Sequence, residues 1–159
     1  MESPPWFFEK HIFNEGTHLI LGSTAKVFTK ITSRVVKEGG EVSKLKYIEL
    51  PFKLVDEFDY KSISSQINSI KPNYIWVSLG APKQEYFMSR LLPYINQGVM
   101  LGVGAAVNYF SGEIKNIPNW TKKIHVVWVY RLLTEPKKQI KRLKTILLTF
   151  PKMVYLLSK

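Results

Sequence analysis

A buried strand that ends at a glycine and leads directly into a helix is the feature that most constrains the fold of this chain. The apolar run from Tyr74 to Leu79 stops at Gly80, and Pro82 then opens a helix-like segment. A strand that stops, turns tightly and starts a helix with proline near its first position is typical of α/β proteins. A second apolar run, over residues 99–103, ends in small residues in the same way.

Strand-like and helix-like segments alternate along the first two thirds of the chain. Strands are predicted at 17–22, 46–50, 74–79 and 99–103, with helices at 23–40, 59–70 and 82–92. Ser23 or Thr24 is expected to cap the first of these helices, with Val27, Ile31 and Val35 on its apolar face. The alternation predicts an α/β, Rossmann-like parallel sheet of about four strands with helices on both faces.

The positive charge of the chain is concentrated in its C-terminal part. The net charge is +11, and from Lys115 onward there are eleven basic residues against one acid, Glu135. A segment from Pro136 has apolar residues at helical spacing with lysine and arginine around them, which predicts a basic helical appendage over 119–159. Such a helix suits an anionic membrane surface. A helix packed on the domain with a solvated basic face is the alternative.

Composition excludes several other classes of protein. The chain has no cysteine, which excludes disulfides and thiolate metal sites, and its three histidines are scattered, so we expect no metal and no cofactor. The glycine pattern at 102–107 is a poor dinucleotide fingerprint. No apolar run approaches the length of a membrane span, and the first residues lack the order of a signal peptide.

Four motifs together resemble the WecG/TagA/CpsF glycosyltransferases in content, order and spacing. They are SLGAPKQE at 78–85, GVGAAVNYFSG at 102–112, IPNW at 117–120 and WVYRLLTEP at 128–136. The resemblance covers about residues 17–145. It implies an inverting enzyme that transfers an N-acetylmannosamine-type sugar from a UDP-sugar to a polyprenyl-diphosphate-linked acceptor in cell-surface polysaccharide synthesis. It also implies a cytoplasmic protein, peripheral on the inner face of the cell membrane.

The chain departs from the family pattern at its N-terminus. The family carries a catalytic aspartate in an Asn-x-Asp-Gly-like motif, and residues 1–16 contain no aspartate. We therefore expect an N-terminal extension at 1–16, a nucleotide-sugar-binding domain at 17–118 and the appendage at 119–159. A non-catalytic or truncated subunit, completed by a partner chain or a homo-oligomer, is the alternative to an enzyme. A nucleic-acid-binding domain is a weaker alternative, because no groove-reading motif accompanies the basic charge, and no nucleic acid is expected as a partner.

The candidate site residues lie after the third and fourth strands and in the basic segment. Gln84 and Glu85 are the candidate catalytic residues, since an amide can hold a sugar or diphosphate and a carboxylate can act as a base. The candidate residues for binding the nucleotide-sugar are Gly80, Lys83, Gly102, Gly104 and Asn108. Those for the acceptor diphosphate or the membrane are Arg131, Lys137, Lys138, Lys141 and Arg142. Turn glycines, a first-turn glutamate, a capping asparagine and an Arg131–Glu135 pair are the alternative interpretations.

Overall fold

A four-stranded parallel sheet forms the centre of the fold in the computed structural model, which describes residues 5–114. Its strands are β1 (His18–Gly22), β2 (Leu45–Ile48), β3 (Tyr74–Ser78) and β4 (Val99–Gly102). They lie in the order β2-β1-β3-β4, and each neighbouring pair is parallel. The predicted fold class is confirmed.

Helices cover both faces of this sheet. On one face lie α1 (Pro5–His11), α2 (Ala25–Lys37) and α5 (Ala106–Phe110), and on the other lie α3 (Tyr60–Ile70) and α4 (Lys83–Leu91). Short 3-10 turns at Val42–Lys44, Val55–Glu57 and Leu92–Tyr94 complete the connections. Each strand therefore contributes side chains to two hydrophobic cores, because successive residues of a strand point to opposite faces.

Residues of the two central strands divide between these cores in strict alternation. Ile20 and Trp76 pack with α1, α2 and α5, whereas Leu19, Ile75 and Val77 pack with α3 and α4. All five side chains are fully buried. A strand buried on both faces needs apolar residues at every position, which explains the uninterrupted apolar runs in the sequence.

Helix α2 buries the face that its sequence predicts, with Val27, Ile31 and Val35 against the sheet. Thr24 is its cap, and the Thr24 hydroxyl accepts a hydrogen bond from the Val27 N–H at 3.4 Å. Ser23 cannot take that role, because it lies in the turn with a φ of 69°. The prediction of a cap at one of these two residues is thus confirmed for Thr24.

Helix α1 lies in the segment for which the sequence analysis expected only an extension. Phe8 is fully buried, with its ring edge-on to Trp76 at 5.0 Å and to Phe110 at 5.4 Å. The Arg34 guanidinium lies over the Phe110 ring at 4.1 Å and donates a hydrogen bond to the Phe110 carbonyl. A helix this short is unstable alone, so aromatic burial stabilises it rather than its intrinsic propensity.

A buried histidine joins β1 to β3 beneath α1. The Trp76 indole N–H donates to His18 Nδ1 at 3.1 Å, so the His18 proton lies on Nε2, which donates to the Asn14 carbonyl at 2.9 Å. Desolvation holds the pKa of His18 below its ordinary value, against the opposing effect of the Asn14 hydrogen bond. The folded state therefore favours the neutral imidazole.

The basic appendage predicted for 119–159 lies outside the described residues. Within residues 5–114, no helix is both long and apolar enough to cross a membrane. The predicted domain boundaries at 16 and 118 remain predictions.

Candidate functional site

The carboxyl ends of β1 and β3 form the topological switch point of the sheet. The chain leaves β1 for α2 on one face and leaves β3 for α4 on the other, and β1 and β3 are neighbours. Ligands of open parallel sheets bind in the crevice at such a point. The candidate site is therefore built from three segments, 22–24 after β1, 79–82 after β3 and 103–105 after β4, which we call the strand-end loops.

The first strand-end loop is a tight turn that touches the second. Gly22 has a φ of +87°, and a Cβ at this position would lie 3.1 Å from the Ser78 carbonyl oxygen and 3.3 Å from Leu79 Cδ2. Ser23 follows with another positive φ. Glycine is thus required at position 22 both by conformation and by the close approach of the two loops.

Sequence reasoning missed this first loop as part of the site. The signal was the Gly22-Ser23-Thr24 turn between a buried strand and an amphipathic helix. Only the strand order shows that this turn adjoins the loop after β3, because sequence alone does not reveal which strands are neighbours.

A buried glutamine holds the second and third strand-end loops together. Gln84 is 1% exposed, and its Oε1 accepts a hydrogen bond from the Gly104 N–H at 3.0 Å. The Gly104 carbonyl in turn accepts from Ser78 Oγ at 2.8 Å. We call the contact of Gln84 with Gly104 the Gln84 latch. It fixes the spacing of two loops that belong to different strands.

Two of the predicted binding residues, Gly102 and Gly80, must be glycine for different structural reasons. At Gly102 a Cβ would lie 2.9 Å from Gln84 Nε2 and 3.1 Å from its Cδ, and the residue has no positive φ, so glycine is needed there for space. At Gly80 the φ is +76° and no heavy atom lies within 4 Å of an added Cβ, so glycine is needed there for conformation. Gly102 thus seats the Gln84 latch, while Gly80 borders open space.

The Gly104 N–H is already satisfied by the protein. It donates to Gln84 Oε1 and also to the Val77 carbonyl at 3.3 Å. A ligand would therefore meet Gly104 through its Cα rather than through its amide. The predicted binding role of Gly104 remains a prediction, and it does not include donation of a hydrogen bond from the Gly104 amide.

Asn108 lies inside α5 and not at the start of that helix. Ala105 is the residue that precedes the first turn, so Asn108 does not act as the cap. Its side chain is half-buried. The backbone carbonyl of Asn108 accepts hydrogen bonds from Ser111 Oγ and from the Ile114 N–H. Its predicted role toward the nucleotide stays a prediction.

Glu85 is exposed in the first turn of α4, beside the latch. Its Oε1 accepts a hydrogen bond from Gln84 Nε2 at 3.0 Å. The latch therefore orients the carboxylate while leaving it accessible to a ligand. Of the two predicted catalytic residues, Glu85 is exposed and Gln84 is buried, with hydrogen bonds to both Glu85 and Gly104, and the catalytic roles of the two residues stay predictions.

Lys83 points toward the connection between β2 and α3. Its ammonium donates a hydrogen bond to the Lys53 carbonyl and lies 5.4 Å and 5.2 Å from the ring centres of Phe52 and Phe58. Beside these residues, at the carboxyl end of β2, is a pocket of about 190 Å³. Its polar lining comes from Glu49, Lys53, Asp59, Ser62 and Gln66. Lys83 therefore directly follows the loop after β3 and contacts two residues that line this pocket, Lys53 and Phe58.

The remaining predicted site residues lie outside the described part of the chain. They are Arg131, Lys137, Lys138, Lys141 and Arg142. Among residues 5–114, no three metal-ligating side chains cluster.

The sheet and its strand-end loops define a Rossmann-like α/β protein with a candidate ligand site at its switch point. The sequence model of the glycosyl transferase WecG/TagA/CpsF family matches residues 5–159, and the chain belongs to that family. The resemblance carried by the four motifs is confirmed.

Two similar proteins share the name N-acetylglucosaminyldiphosphoundecaprenol N-acetyl-beta-D-mannosaminyltransferase. The protein from Bacillus spizizenii is 34% identical over 80 residues, which are 50% of this chain and 31% of that relative. The protein from Staphylococcus aureus is 33% identical over 103 residues, which are 65% of this chain and 39% of that relative. The chain thus matches less than two fifths of the length of either relative.

Proposed function

We propose that this protein transfers an N-acetylmannosamine-type sugar from a UDP-sugar to a polyprenyl-diphosphate-linked acceptor in cell-surface polysaccharide synthesis. The observation that carries the proposal is the family match over residues 5–159. The names of the relatives support it, because they describe N-acetylmannosaminyl transfer onto N-acetylglucosaminyl-diphosphoundecaprenol. An acceptor of that kind would place the protein on the inner face of the cell membrane.

The strand-end loops are the proposed donor site. The N-terminus of α2 opens at Thr24, and its N–H groups favour the negative charge of a diphosphate. Open space beside Gly80 leaves room for the sugar. Because the Gln84 latch fixes the loops after β3 and β4 before any ligand arrives, binding need not order them.

The proposed chemistry is a displacement at the anomeric carbon of the donor sugar. An acceptor hydroxyl forms the new carbon–oxygen bond, the bond to the UDP phosphate oxygen breaks, and UDP leaves with the electron pair. The proton of the hydroxyl passes to a general base, for which we propose Glu85, held by Gln84 Nε2. Attack from the face opposite UDP inverts the configuration.

Binding of the donor is tested first, by titration calorimetry of the full chain. We expect heat with UDP and with UDP-N-acetylmannosamine, and less with UDP-N-acetylglucosamine. Absence of heat with all three ligands would refute the donor site. The variant Gly80→Val should weaken binding, because it strains the backbone and fills the open space beside the loop.

Turnover is tested with a short-chain lipid-diphosphate-N-acetylglucosamine acceptor and mass spectrometry of the disaccharide. Glu85→Gln should lower the rate about a hundredfold or more, the usual contribution of a positioned base, and leave UDP binding unchanged. Glu15→Gln, an exposed carboxylate before β1, is the matched control. Turnover that is indifferent to Glu85→Gln removes Glu85 from this role. Turnover only after a second protein is added would favour the subunit interpretation.

A further inference from the structure

Ser78 ends β3 at the point where the three strand-end loops come together. In the sheet register it stands opposite Gly22, and a Cβ at position 22 would lie 3.1 Å from the Ser78 carbonyl oxygen. Its hydroxyl donates a hydrogen bond to the Gly104 carbonyl in the loop after β4, at 2.8 Å. The chain itself continues from Ser78 into the loop at 79–82. A single residue therefore adjoins all three loops.

The Ser78 hydroxyl extends the joint between β3 and β4 beyond the end of their ladder. The parallel register of the two strands ends where Val77 pairs with Gly102. Past that pair, the hydrogen bond from Ser78 Oγ to the Gly104 carbonyl joins the two segments through a side chain. Removing the hydroxyl would therefore loosen the loop after β4 and leave the ladder itself in place.

Gly104 needs support on both sides because it is a glycine in a turn. Its φ is +48°, in the left-handed region, and glycine has more conformational freedom to lose than any other residue. The Gln84 latch holds its N–H, and Ser78 holds its carbonyl. These two groups belong to successive peptide planes, so the two hydrogen bonds together fix both planes of the turn.

The same contacts form one chain of hydrogen bonds that runs from Ser78 to an exposed carboxylate. From Gly104 it passes through the N–H to Gln84 Oε1 at 3.0 Å, and from Gln84 Nε2 to Glu85 Oε1 at 3.0 Å. A primary amide accepts at one end and donates at the other. The Gly104 N–H therefore determines which end of the buried Gln84 amide faces Glu85.

We propose that Ser78 is a positioning residue, which fixes the Gly104 turn so that Gln84 presents its amide N–H to the Glu85 carboxylate. The inference rests on the proposed function, which gives Glu85 the role of general base. Ser78 itself needs no contact with either substrate in this role. Its loss should therefore lower kcat, which depends on the orientation of the base, and leave the binding of the donor unchanged.

The link from Ser78 to Gln84 is tested first, by NMR of the 15N-labelled full chain without ligand. The side-chain amide signals of Gln84 are those that Gln84→Ala removes. We expect Ser78→Ala to shift these signals and that of the Gly104 amide, and Ser78→Thr, which keeps the hydroxyl, to shift them much less. The matched control is Ser64→Ala in α3, because the buried Ser64 hydroxyl also donates to a backbone carbonyl, that of Lys61, at 2.9 Å. It should leave the signals of Gln84 and Gly104 unchanged.

Turnover of the short-chain acceptor then tests the effect on the reaction. Ser78→Ala should lower kcat about tenfold, a part of the hundredfold or more that a positioned base contributes. The KM for the donor and the affinity for UDP should change by less than about twofold. Ser78→Thr should restore kcat, and Ser64→Ala should leave it unchanged although it also removes a hydroxyl hydrogen bond.

Three results would overturn the positioning role. The first is a set of Gln84 amide signals that Ser78→Ala does not move. The second is a kcat that Ser78→Ala leaves unchanged while Glu85→Gln lowers it, and the third is an equal loss of kcat from Ser64→Ala. Failure of the proposed function looks different, because the unsubstituted chain would then give no heat with UDP and no disaccharide. The NMR comparison would still decide whether Ser78 fixes Gln84.

Discussion

Gln84 and Gly102 should be energetically coupled, because a side chain at position 102 and the glutamine amide compete for the same space. A Cβ at position 102 would lie 2.9 Å from Gln84 Nε2, which is closer than real Cβ atoms approach other heavy atoms, so the glutamine side chain would have to move. Gly102 has no positive φ, so Gly102→Ala acts through this contact and not through backbone strain. The perturbation is a double-mutant cycle with Gln84→Ala.

The structure sets the size of each effect. Gln84→Ala removes the 3.0 Å bond to the Gly104 N–H, which keeps its longer bond to Val77, and leaves a cavity, for a cost of about 2–3 kcal/mol. Gly102→Ala overpacks the latch and should cost about 1–3 kcal/mol. In the double variant the new methyl group occupies the space that Gln84 has left. The free energy of unfolding that the double variant loses should therefore be smaller than the sum of the losses in the two single variants, by about 1 kcal/mol or more.

The free energy of unfolding is measured by urea denaturation of all four proteins at neutral pH, with the slope checked for constancy. Gly40→Ala is the matched control, since its Cβ would press on Val35 and Phe13 and not on the latch. When Gly40→Ala is combined with Gln84→Ala, the two changes in the free energy of unfolding should add. If the pair at 84 and 102 is also additive within about 0.5 kcal/mol, the reasoning about the latch is refuted.

Two further predictions concern the packing beneath α1. Stability should fall as the pH drops below about 6.5, by at most about 1.4 kcal/mol per pH unit, because the pKa of His18 is lower in the folded chain and the unfolded chain takes up the proton first. His18→Gln should flatten the plot of urea midpoint against pH below this value. An unchanged slope in that variant would contradict the role given to His18. Phe8→Ala should cost about 3–5 kcal/mol, whereas Trp6→Ala in the same helix, which is exposed, should change stability by about 0.5 kcal/mol or less. Equal losses from both variants would show that α1 is not anchored through Phe8.

The sheet and three of its helices, α2, α3 and α4, could be predicted because their signals are local. Uninterrupted apolar runs ended by glycine mark buried parallel strands, and the spacing of Val27, Ile31 and Val35 marks the buried face of α2. Helix α1 could not be predicted, because its apolar residues are clustered without period. What makes it a helix is the contact of Phe8 with Trp76 and Phe110, which are distant in sequence.

The candidate site was predictable in its location but not in its internal connections. Both Gln84 and Glu85 could be placed at the edge of the sheet from the strand–turn–helix pattern alone. That Gln84 is buried follows from the absence of a side chain at Gly102, eighteen residues away on the next strand, and no local pattern reports that pairing. The loop at Gly22 was missed for the same reason, since its role depends on the order of the strands.

The packing of α1 also orders the events of synthesis on the ribosome. Phe8 is made about one hundred residues before Phe110, and about seventy before Trp76, yet its ring is buried against both. Until those residues have emerged, the aromatic side chains of α1 have no partner in the fold. The helix therefore completes the domain rather than starting it, and its docking is a long-range closure of the kind that slows folding.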